Sequence, residues 1–476
     1  MIKNINKDSL APTQKSERKW NWFEISNIWV NDIQSLFGYT LVASLFISYG
    51  VTGWTAFLAL IFAGLFVTFM VNISGKAGVK YGIPYPVLSR ASMGVKGAKF
   101  AAIIRAIVAV FWFGVQTYFA STALNLLIIS LTGITLEETY LGITLTGWIS
   151  FFIVWVLQMF MFSKGMGWVS KFLNIAAPFV YAVMVLLLVV LVVKSDGSLF
   201  IQANTIMTSE NVTFESELNG FFAIVGTMIA YFSAVMINYS DFSRYSKDEK
   251  SMKIGNFVGL PLNMVIFSAL ALLITAGSVV IFGEKLTNPM DIVAKADSTV
   301  LSLVAAIMFF MATVGINLVA NFIPAVNGIS NIAPKKLNFK ISGLITSMFA
   351  LVIGGFWVSV ISSIGISSIV NTLGATMAPL FGILIVDYYL VKKESLDIES
   401  LYDESEKSEY YYENGWNIKA IIAFGIGSIF SISTVWLESL SDLSGYGWVI
   451  GAILAGIVYS FLSKKEEVLV LNEKVA

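Results

Sequence analysis

The chain has 476 residues, of which 57% are hydrophobic and only 13% are charged, and its 30 Lys and Arg balance its 30 Asp and Glu. A soluble protein has about a quarter charged residues, and a nucleic-acid-binding protein needs a basic surplus to neutralise phosphates. There is no Cys and no His, which removes disulfides, thiol catalysis, the commonest metal ligand and the usual general base. The composition predicts an all-α membrane protein with many spans, which binds no nucleic acid and is not an enzyme.

Twelve apolar stretches are long enough to cross the hydrocarbon core, which takes about 20 residues as a helix. They are longer and more uniformly apolar than the alternating strands of a β-barrel. We name them segments 1 to 12, at residues 27–50, 53–73, 99–129, 141–163, 169–193, 218–240, 254–283, 299–325, 341–363, 366–390, 417–438 and 444–463.

The basic residues predict the side of the membrane on which each loop lies. With a cytoplasmic N-terminus, 26 of the 30 Lys and Arg fall in the tails and the inward-facing loops, as the positive-inside rule requires. A shift of the helix count by one would remove this asymmetry. The first 20 residues are polar and are not a cleavable signal peptide. We therefore predict twelve spans in the plasma or inner membrane, with both termini cytoplasmic.

Polar interruptions occur in two segments that lie five segments apart. Segment 1 contains the polar run 31–35, and segment 6 contains Tyr231-Phe232-Ser233 midway and the run 238–241 near its end. Irregular backbone at membrane depth survives only where it lines a cavity or is buried in protein. Transporters with inverted repeats place such broken helices at corresponding positions, with the substrate between them. We therefore predict a LeuT-like five-plus-five inverted repeat with two extra C-terminal helices and with broken segments 1 and 6.

This architecture divides the chain into seven regions. They are the cytoplasmic tail 1–26, the first repeat 27–193, the extracellular loop 194–217, the second repeat 218–390, the cytoplasmic loop 391–416, the helical pair 417–463 and the cytoplasmic tail 464–476.

Segment 3 carries Trp112 and Gln116 four residues apart, a spacing that puts both on one helix face. Gly114 between them admits a neighbouring helix. An indole beside a carboxamide suits a planar heterocyclic amide, which stacks on the ring and exchanges hydrogen bonds with the Gln. A packed Trp and a Gln bonded to another helix would have the same spacing, so both interpretations stay open.

Segment 8 repeats this spacing with Asn317 and Asn321. Polar side chains inside a span usually face the bundle interior or a cavity, and they also serve as hydrogen bonds between helices. The two asparagines fit either role.

Three further features bear on mechanism. Asp32 is the carboxylate well inside segment 1, and it either carries a coupling proton or is solvated at the cytoplasmic surface. We expect Arg105, one turn into segment 3, to extend its side chain to the inner interface. The Gly- and Ser-rich residues of segments 9 and 10, which include Gly354 and Gly355, are a candidate extracellular gate.

The stretch Lys80–Ala98, KYGIPYPVLSRASMGVKGA, resembles the signature between helices two and three of the nucleobase–cation symporter family. That family holds hydantoin, allantoin, uracil and cytosine permeases. Supporting stretches are residues 112–117, 238–245, 320–325 and 386–391. The resemblance implies the five-plus-five fold and transport by alternating access.

The resemblance also implies roles for single residues. Trp112 and Gln116 would stack on and hydrogen-bond the substrate ring, and Phe232 would supply the second aromatic face. Asn321 would bind the substrate amide. The polar position of segment 1 falls on Ser35 or, with a slip of one residue, on Gln34. The complete set of substrate-binding candidates is Gln34, Ser35, Trp112, Gln116, Phe232, Asn317 and Asn321.

The coupling ion is where the chain departs from the family. The family's sodium-coupled hydantoin transporter holds its ion with carbonyls of helices one and eight and with two hydroxyls of helix eight. The matching positions here are Asn31, Gln34 and Ala312 for the carbonyls and Gly315 and Ile316 for the hydroxyls. Neither of the last two has a side-chain oxygen, and Thr313 is expected on a different helical face from these two positions. We therefore favour H⁺ coupling through Asp32, with Na⁺ as the alternative, and no cofactor.

Together these features predict a secondary transporter that imports a planar, uncharged nucleobase or ureide of the uracil, allantoin, hydantoin or cytosine type. The ring would lie between Trp112 and Phe232. The alternative is a carrier of a vitamin or vitamin precursor such as thiamine, pyridoxine or hydroxymethylpyrimidine, because the same aromatic pair fits any flat ring. We expect the protein to work as a monomer in the lipid bilayer.

Overall fold

The computed structural model describes residues 10–163, 166–208, 212–333 and 336–475, most of which are helical. Within these ranges nine helices are long and apolar enough to cross a membrane, and two bent helix pairs raise the number to eleven. A further helix, Met166–Lys194, coincides with predicted segment 5. The helices are consistent with the twelve predicted segments, and the protein is a multi-pass membrane protein.

Segments 1 to 12 correspond in chain order to Trp22–Ile33 with Leu36–Ser48, Gly53–Tyr81, Val95–Thr132, Leu145–Ser163, Met166–Lys194, Phe214–Ile237, Glu249–Phe282, Thr299–Ile332, Phe339–Gly355 with Trp357–Ile364, Ile366–Val391, Ile418–Trp436 and Gly447–Val475. Short helices connect them at Lys15–Glu17, Tyr85–Met93, Leu199–Met207, Ser240–Ser243, Pro289–Lys295, Ile398–Tyr402 and Glu438–Tyr446. Strands Thr139–Tyr140 and Ile143–Thr144 pair antiparallel, with Thr139 opposite Thr144 and Tyr140 opposite Ile143.

Segment 3 is a helix of 38 residues, considerably longer than a perpendicular span requires. A Cβ atom built on Gly114 would lie 2.7 Å from the Ala350 carbonyl oxygen, and one built on Gly354 would lie 2.7 Å from that of Gly114. Any side chain at either position would therefore push segments 3 and 9 apart. The close approach predicted at Gly114 is confirmed, and segment 9 is the neighbour that makes it.

Segment 1 is broken as predicted, because its two halves meet at an angle of 59°. Segment 6 differs in detail. It is helical without interruption from Phe214 to Ile237 and turns only at Asn238-Tyr239, before the short helix Ser240–Ser243. The midway interruption expected at Tyr231-Phe232-Ser233 is thus a continuous stretch of helix.

The second sharp bend lies in segment 9, whose two parts meet at 53° after Gly355. A π-helical turn, Trp357–Ile361, follows the bend, and other π-helical turns occur at Val258–Leu262, Asn317–Phe322 and Asp387–Val391. Such turns are frequent at functional sites, because they shift the register of the side chains that follow. The turn in segment 8 contains both Asn317 and Asn321.

Segment 6 lies in the centre of the bundle, where 83% of its most apolar stretch is buried, and it packs against segments 2 and 10. Peripheral helices keep apolar side chains on their outer faces, among them Phe69, Ile107 and Ile429. Exposed apolar surface of this extent is typical of a membrane interface. The polar side chains of segments 1, 3, 6 and 8 are therefore found in the interior.

Candidate functional site

The break in segment 1 has its own hydrogen-bonding partners. Ser35 begins the second half-helix as its N-cap, because its Oγ accepts the Gly38 backbone N–H at 3.0 Å. The next backbone N–H, that of Leu36, donates to Thr313 Oγ1 of segment 8 at 3.1 Å. The hydroxyl of Thr313, which is expected on a different helical face from Gly315 and Ile316, thus faces the break directly.

Trp112 and Gln116 of segment 3 both face this break. Gln116 Nε2 donates to Ser35 Oγ at 3.2 Å, and the Trp112 ring lies edge-on to Phe37, with 4.8 Å between ring centroids. The structure thus brings together the predicted Trp–Gln pair and the predicted polar position of segment 1. Ser35 contacts Gln116 directly, while Gln34 lies beside it in the chain.

The aromatic neighbour of Trp112 on segment 6 is Tyr231. Their rings are perpendicular, with centroids 5.6 Å apart. Phe232 instead contacts Trp29 at 6.1 Å and Tyr231 at 4.9 Å, so the described ring contacts include no pair of Trp112 with Phe232. Two rings that enclose a flat substrate would not touch each other, so the expected placement of the substrate between Trp112 and Phe232 stays a prediction. The Tyr231 hydroxyl also interacts with the Asp32 carboxyl.

The two asparagines of segment 8 have different surroundings. Asn317 Nδ2 lies within hydrogen-bonding distance of the Phe113 carbonyl oxygen, Thr117 Oγ1 and Gln158 Oε1, at 3.0, 3.2 and 2.9 Å. Its Oδ1 accepts Asn321 Nδ2 at 3.0 Å. Asn317 thus ties segment 8 to segments 3 and 4, whereas the partly buried Asn321 uses only its donor side.

Two buried side-chain atoms near the break have no hydrogen-bond partner: Gln116 Oε1 and Asn31 Oδ1. More than nine in ten buried polar groups in proteins are paired, and an unpaired one costs about 1–3 kcal/mol. Gln116 Oε1 belongs to the amide that contacts Ser35, one turn along segment 3 from Trp112, whereas the Gln34 side chain interacts with Tyr181 of segment 5. An unpaired acceptor beside an indole is what a flat bound molecule with its own N–H group can satisfy.

The positions proposed for a coupling ion lie on both sides of this break. Ala312, Gly315 and Ile316 are buried in segment 8, and the last two present no side-chain oxygen. Thr313 contributes the hydroxyl that faces segment 1. Within the described ranges, no group of three or more acidic side chains could hold a metal ion. A cation between segments 1 and 8 would thus depend on carbonyl oxygens and on Thr313.

Asp32 and Arg105 are both buried, at 8% and 3% exposure. The cytoplasmic solvation considered for Asp32 is therefore not observed. The prediction that Arg105 reaches the membrane surface is also wrong, because its Nε and Nη2 donate to the Ala234 and Ala320 carbonyl oxygens at 2.9 and 3.1 Å. The signal in the sequence is an arginine inside an otherwise apolar helix, which is compatible with either environment until the neighbouring helices are known.

Two of the family-like motifs meet beside this region. The Tyr85 backbone N–H, from the stretch Lys80–Ala98, donates to Asp241 Oδ1 at 2.7 Å, and Asn238 Nδ2 donates to Asp241 Oδ2 at 3.0 Å. Burial raises the pKa of the Asp241 carboxyl, and the nearby Arg244 guanidinium opposes that shift. Asp241 therefore joins the end of segment 6 to the connection between segments 2 and 3.

Comparisons with known sequences give relatives that match nearly the whole chain. A profile of the family described as permeases for cytosine/purines, uracil, thiamine and allantoin matches residues 12–452. The allantoin permease of Bacillus subtilis is 30% identical over 466 residues, which cover 97% of this chain and 93% of that protein. The purine-uracil permease of Arabidopsis thaliana is 27% identical over 469 residues, which cover 96% of this chain and 77% of that protein.

Among solved structures, the inward-facing conformation of Mhp1 is similar with a TM-score of 0.78 at 20% identity, over 96% of this chain and 94% of that chain. A closed conformation of Mhp1, described as a nucleobase-cation-symport-1 family transporter with bromovinylhydantoin bound, has a TM-score of 0.77 at 21% identity, over 96% of each chain. The predicted fold class is confirmed by these similarities. The chain therefore belongs to the nucleobase–cation symporter family of permeases, and it is a transporter rather than an enzyme.

Proposed function

We propose that this protein imports a planar, uncharged nucleobase or ureide by cation-coupled alternating access, in the orientation with both termini cytoplasmic. The observation that carries the proposal is the pair Trp112 and Gln116 at the break of segment 1, where Gln116 contacts Ser35 and keeps an unpaired amide oxygen. Nucleobases and ureides present N–H and C=O groups on the edge of a flat ring. Their edges match an amide's donors and acceptors, and their faces match an indole.

A ureide is favoured over a cationic vitamin by the charges near the site. The buried Asp32 is the group that would attract a cationic ring, but the Arg105 guanidinium acts on it electrostatically and offsets its charge. The names of two relatives support the same choice, since the Bacillus subtilis protein, 30% identical, is named allantoin permease and an Escherichia coli protein, 29% identical, is named putative allantoin permease. Uracil, hydantoin and cytosine remain cargoes to be compared directly.

Of the two neighbouring rings on segment 6, we favour Tyr231 as the second aromatic contact of the substrate. It already touches Trp112, whereas Phe232 packs on Trp29. Phe232 would face Trp112 only after segment 6 turned about its axis, since adjacent residues of a helix point about 100° apart. Asn321 would read the substrate amide with its free oxygen, and Asn317 would hold Asn321 in place.

Coupling is proposed to use protons, with Asp32 as the carrier. Asp32 is buried at the end of the first half of segment 1 and interacts with Tyr231, so its protonation state would be felt at the substrate ring. Gly315 and Ile316 leave a sodium site with fewer oxygens than a dehydrated cation needs. Uptake by proteoliposomes that persists without sodium and stops with a protonophore would support this choice, and the reverse result would refute it.

The test of the whole proposal is a binding screen followed by transport. Purified protein would be heated with allantoin, hydantoin, uracil, cytosine and thiamine, because a bound ligand raises the apparent stability. Ligands that stabilise it would then be offered, radiolabelled, to proteoliposomes. We expect saturable uptake of at least one neutral ring.

The site itself is tested with Trp112→Ala and Gln116→Ala, which should each reduce kcat/KM for uptake at least tenfold, because each removes a proposed ring contact or hydrogen bond. The matched controls are Trp54→Ala and Gln202→Ala, at exposed positions of the same residue types. If both site variants transported like their controls, the assigned site would be wrong.

A further inference from the structure

Arg105 is a buried cation that the proposed transport function uses only through its charge, which offsets that of Asp32. It lies on segment 3, two helical turns before Trp112 and thus about 10 Å from it along the axis. A charged side chain at membrane depth is costly and is kept mainly where it serves a function. Its partners therefore deserve a physical explanation.

Both partners are backbone carbonyls next to proposed substrate contacts. Arg105 Nε donates to the carbonyl oxygen of Ala234, three residues after Tyr231 on segment 6, at 2.9 Å. Arg105 Nη2 donates to the carbonyl oxygen of Ala320, the residue before Asn321 on segment 8, at 3.1 Å. A single guanidinium thus connects segment 3 to segments 6 and 8, two of the three other helices that contribute to the site.

The partner on segment 8 belongs to the π-helical turn Asn317–Phe322. A π-helical turn departs from the regular hydrogen-bond pattern of the surrounding α-helix, and buried carbonyls need donors. Arg105 supplies one to a carbonyl of this turn. This π-helical turn also determines the direction in which Asn321 projects, because a change in helical register rotates the side chains about the helix axis.

The charged groups around Arg105 explain its position less well than its hydrogen bonds to the two carbonyls do. Asp32 of segment 1, Asp241 beyond segment 6 and Tyr85 of the connecting helix act on it through space. Yet Arg105 forms no ion pair with any residue in the part of the chain that the structure describes, and its Nη1 has no partner. The hydrogen bonds of the guanidinium go to the two backbone carbonyls.

We propose that Arg105 is a positioning residue that orients Tyr231 and Asn321 around the substrate by joining the backbones of segments 6 and 8 to segment 3. The planar fork of an arginine holds two acceptors at a fixed separation, and a lysine ammonium keeps the charge without that geometry. A lysine at position 105 would therefore keep the positive charge of Arg105 but not the geometry of its donors. The inference rests on the proposed function, because it takes Asn321 as a substrate contact.

Arg105→Lys is the first test, in proteoliposomes that take up radiolabelled allantoin, or radiolabelled uracil if its uptake is greater. We expect KM to rise about tenfold, the effect of losing one charge-assisted hydrogen bond, with kcat changed less. The control is Arg90→Lys, since Arg90 is also buried and also donates to a carbonyl, that of Leu401, but lies in the short helix Tyr85–Met93. Unchanged KM in Arg105→Lys, or an equal rise in Arg90→Lys, would overturn the proposal.

Double variants separate positioning from a general loss of stability. If Arg105 acts through Asn321 and Tyr231, Arg105→Lys should raise the KM of Asn321→Ala by a smaller factor than it raises that of the unmodified protein, because only its effect through Tyr231 remains, whereas its effect should be fully additive with that of Gln116→Ala. Full additivity with both would refute the proposal. If Asn321→Ala and Gln116→Ala themselves left KM unchanged, the proposed substrate site would fail instead. Should Arg105→Lys not insert, Arg105→Gln replaces it, and failure of both to fold would show a purely structural role and refute the proposal.

Discussion

Thr313→Val tests how the break in segment 1 is held. In the structure, Thr313 Oγ1 accepts the Leu36 backbone N–H at 3.1 Å, and both residues are buried. Val has nearly the shape of Thr and the same branching at Cβ. The substitution therefore removes the acceptor while it leaves the packing of segment 8 almost unchanged.

The size of the effect follows from what becomes of the Leu36 N–H. A buried donor without a partner costs about 1–3 kcal/mol, which corresponds to roughly a 5- to 150-fold change in a conformational equilibrium. The cost applies only to conformations that bury this N–H. The variant should therefore populate the observed arrangement of segments 1 and 8 less, and kcat/KM for uptake should fall at least fivefold.

The assay is initial-rate uptake in proteoliposomes, measured with and without sodium, together with hydrogen exchange at segment 1. Thr313→Ser is the matched control, because it keeps the hydroxyl and should behave nearly like the unmodified protein. Thr313→Val should speed amide exchange at Leu36. If Thr313 also ligates sodium, the sodium concentration for half-maximal uptake should rise in Thr313→Val, and under proton coupling sodium should have no effect in either variant.

The reasoning would be refuted if Thr313→Val matched Thr313→Ser both in uptake and in exchange. That result would mean that the Leu36 N–H finds another acceptor at no cost. The break would then be held by the Ser35 cap and by packing alone.

Two further predictions concern the residues that face the ring. Asp32→Asn removes the proposed proton carrier. We therefore expect counterflow exchange of substrate to survive, while uphill accumulation driven by a pH gradient is lost. Accumulation at the normal level would contradict proton transfer through Asp32. Tyr231→Leu should raise the KM for uptake at least tenfold if the Tyr231 ring covers the substrate beside Trp112. Phe232→Leu should raise it less than threefold, because the Phe232 ring packs on Trp29. The opposite order in the same uptake curves would support Phe232 as the second aromatic contact.

Much of the membrane architecture could be predicted from the sequence. The partition of each apolar stretch into lipid depends on its own composition, so the helices could be located from the chain alone. The break at 31–35 and the shared face of Trp112 and Gln116 were also predictable, because they depend on local polarity and helix periodicity. Both features are present in the structure.

Other features depend on which helix packs against which, and these the sequence could not decide. Asn317 and Asn321 have the same spacing as Trp112 and Gln116, yet Asn317 is occupied by bonds to segments 3 and 4. Segment 9 bends after the glycine pair Gly354-Gly355, whereas segment 6 stays helical through Tyr231-Phe232-Ser233. A glycine or a polar side chain permits either outcome, and the neighbouring backbone selects one.

The sequence by itself determined that this is a multi-span membrane protein whose interior offers aromatic rings and neutral amides, because low charge and the absence of Cys and His leave little other chemistry. Only the tertiary structure decided that Thr313 faces segment 1, that Tyr231 meets Trp112 and that Arg105 turns inward to two carbonyls. Each of these depends on a contact between residues more than a hundred positions apart. Such contacts are set by the packing of whole helices, and no local pattern records them.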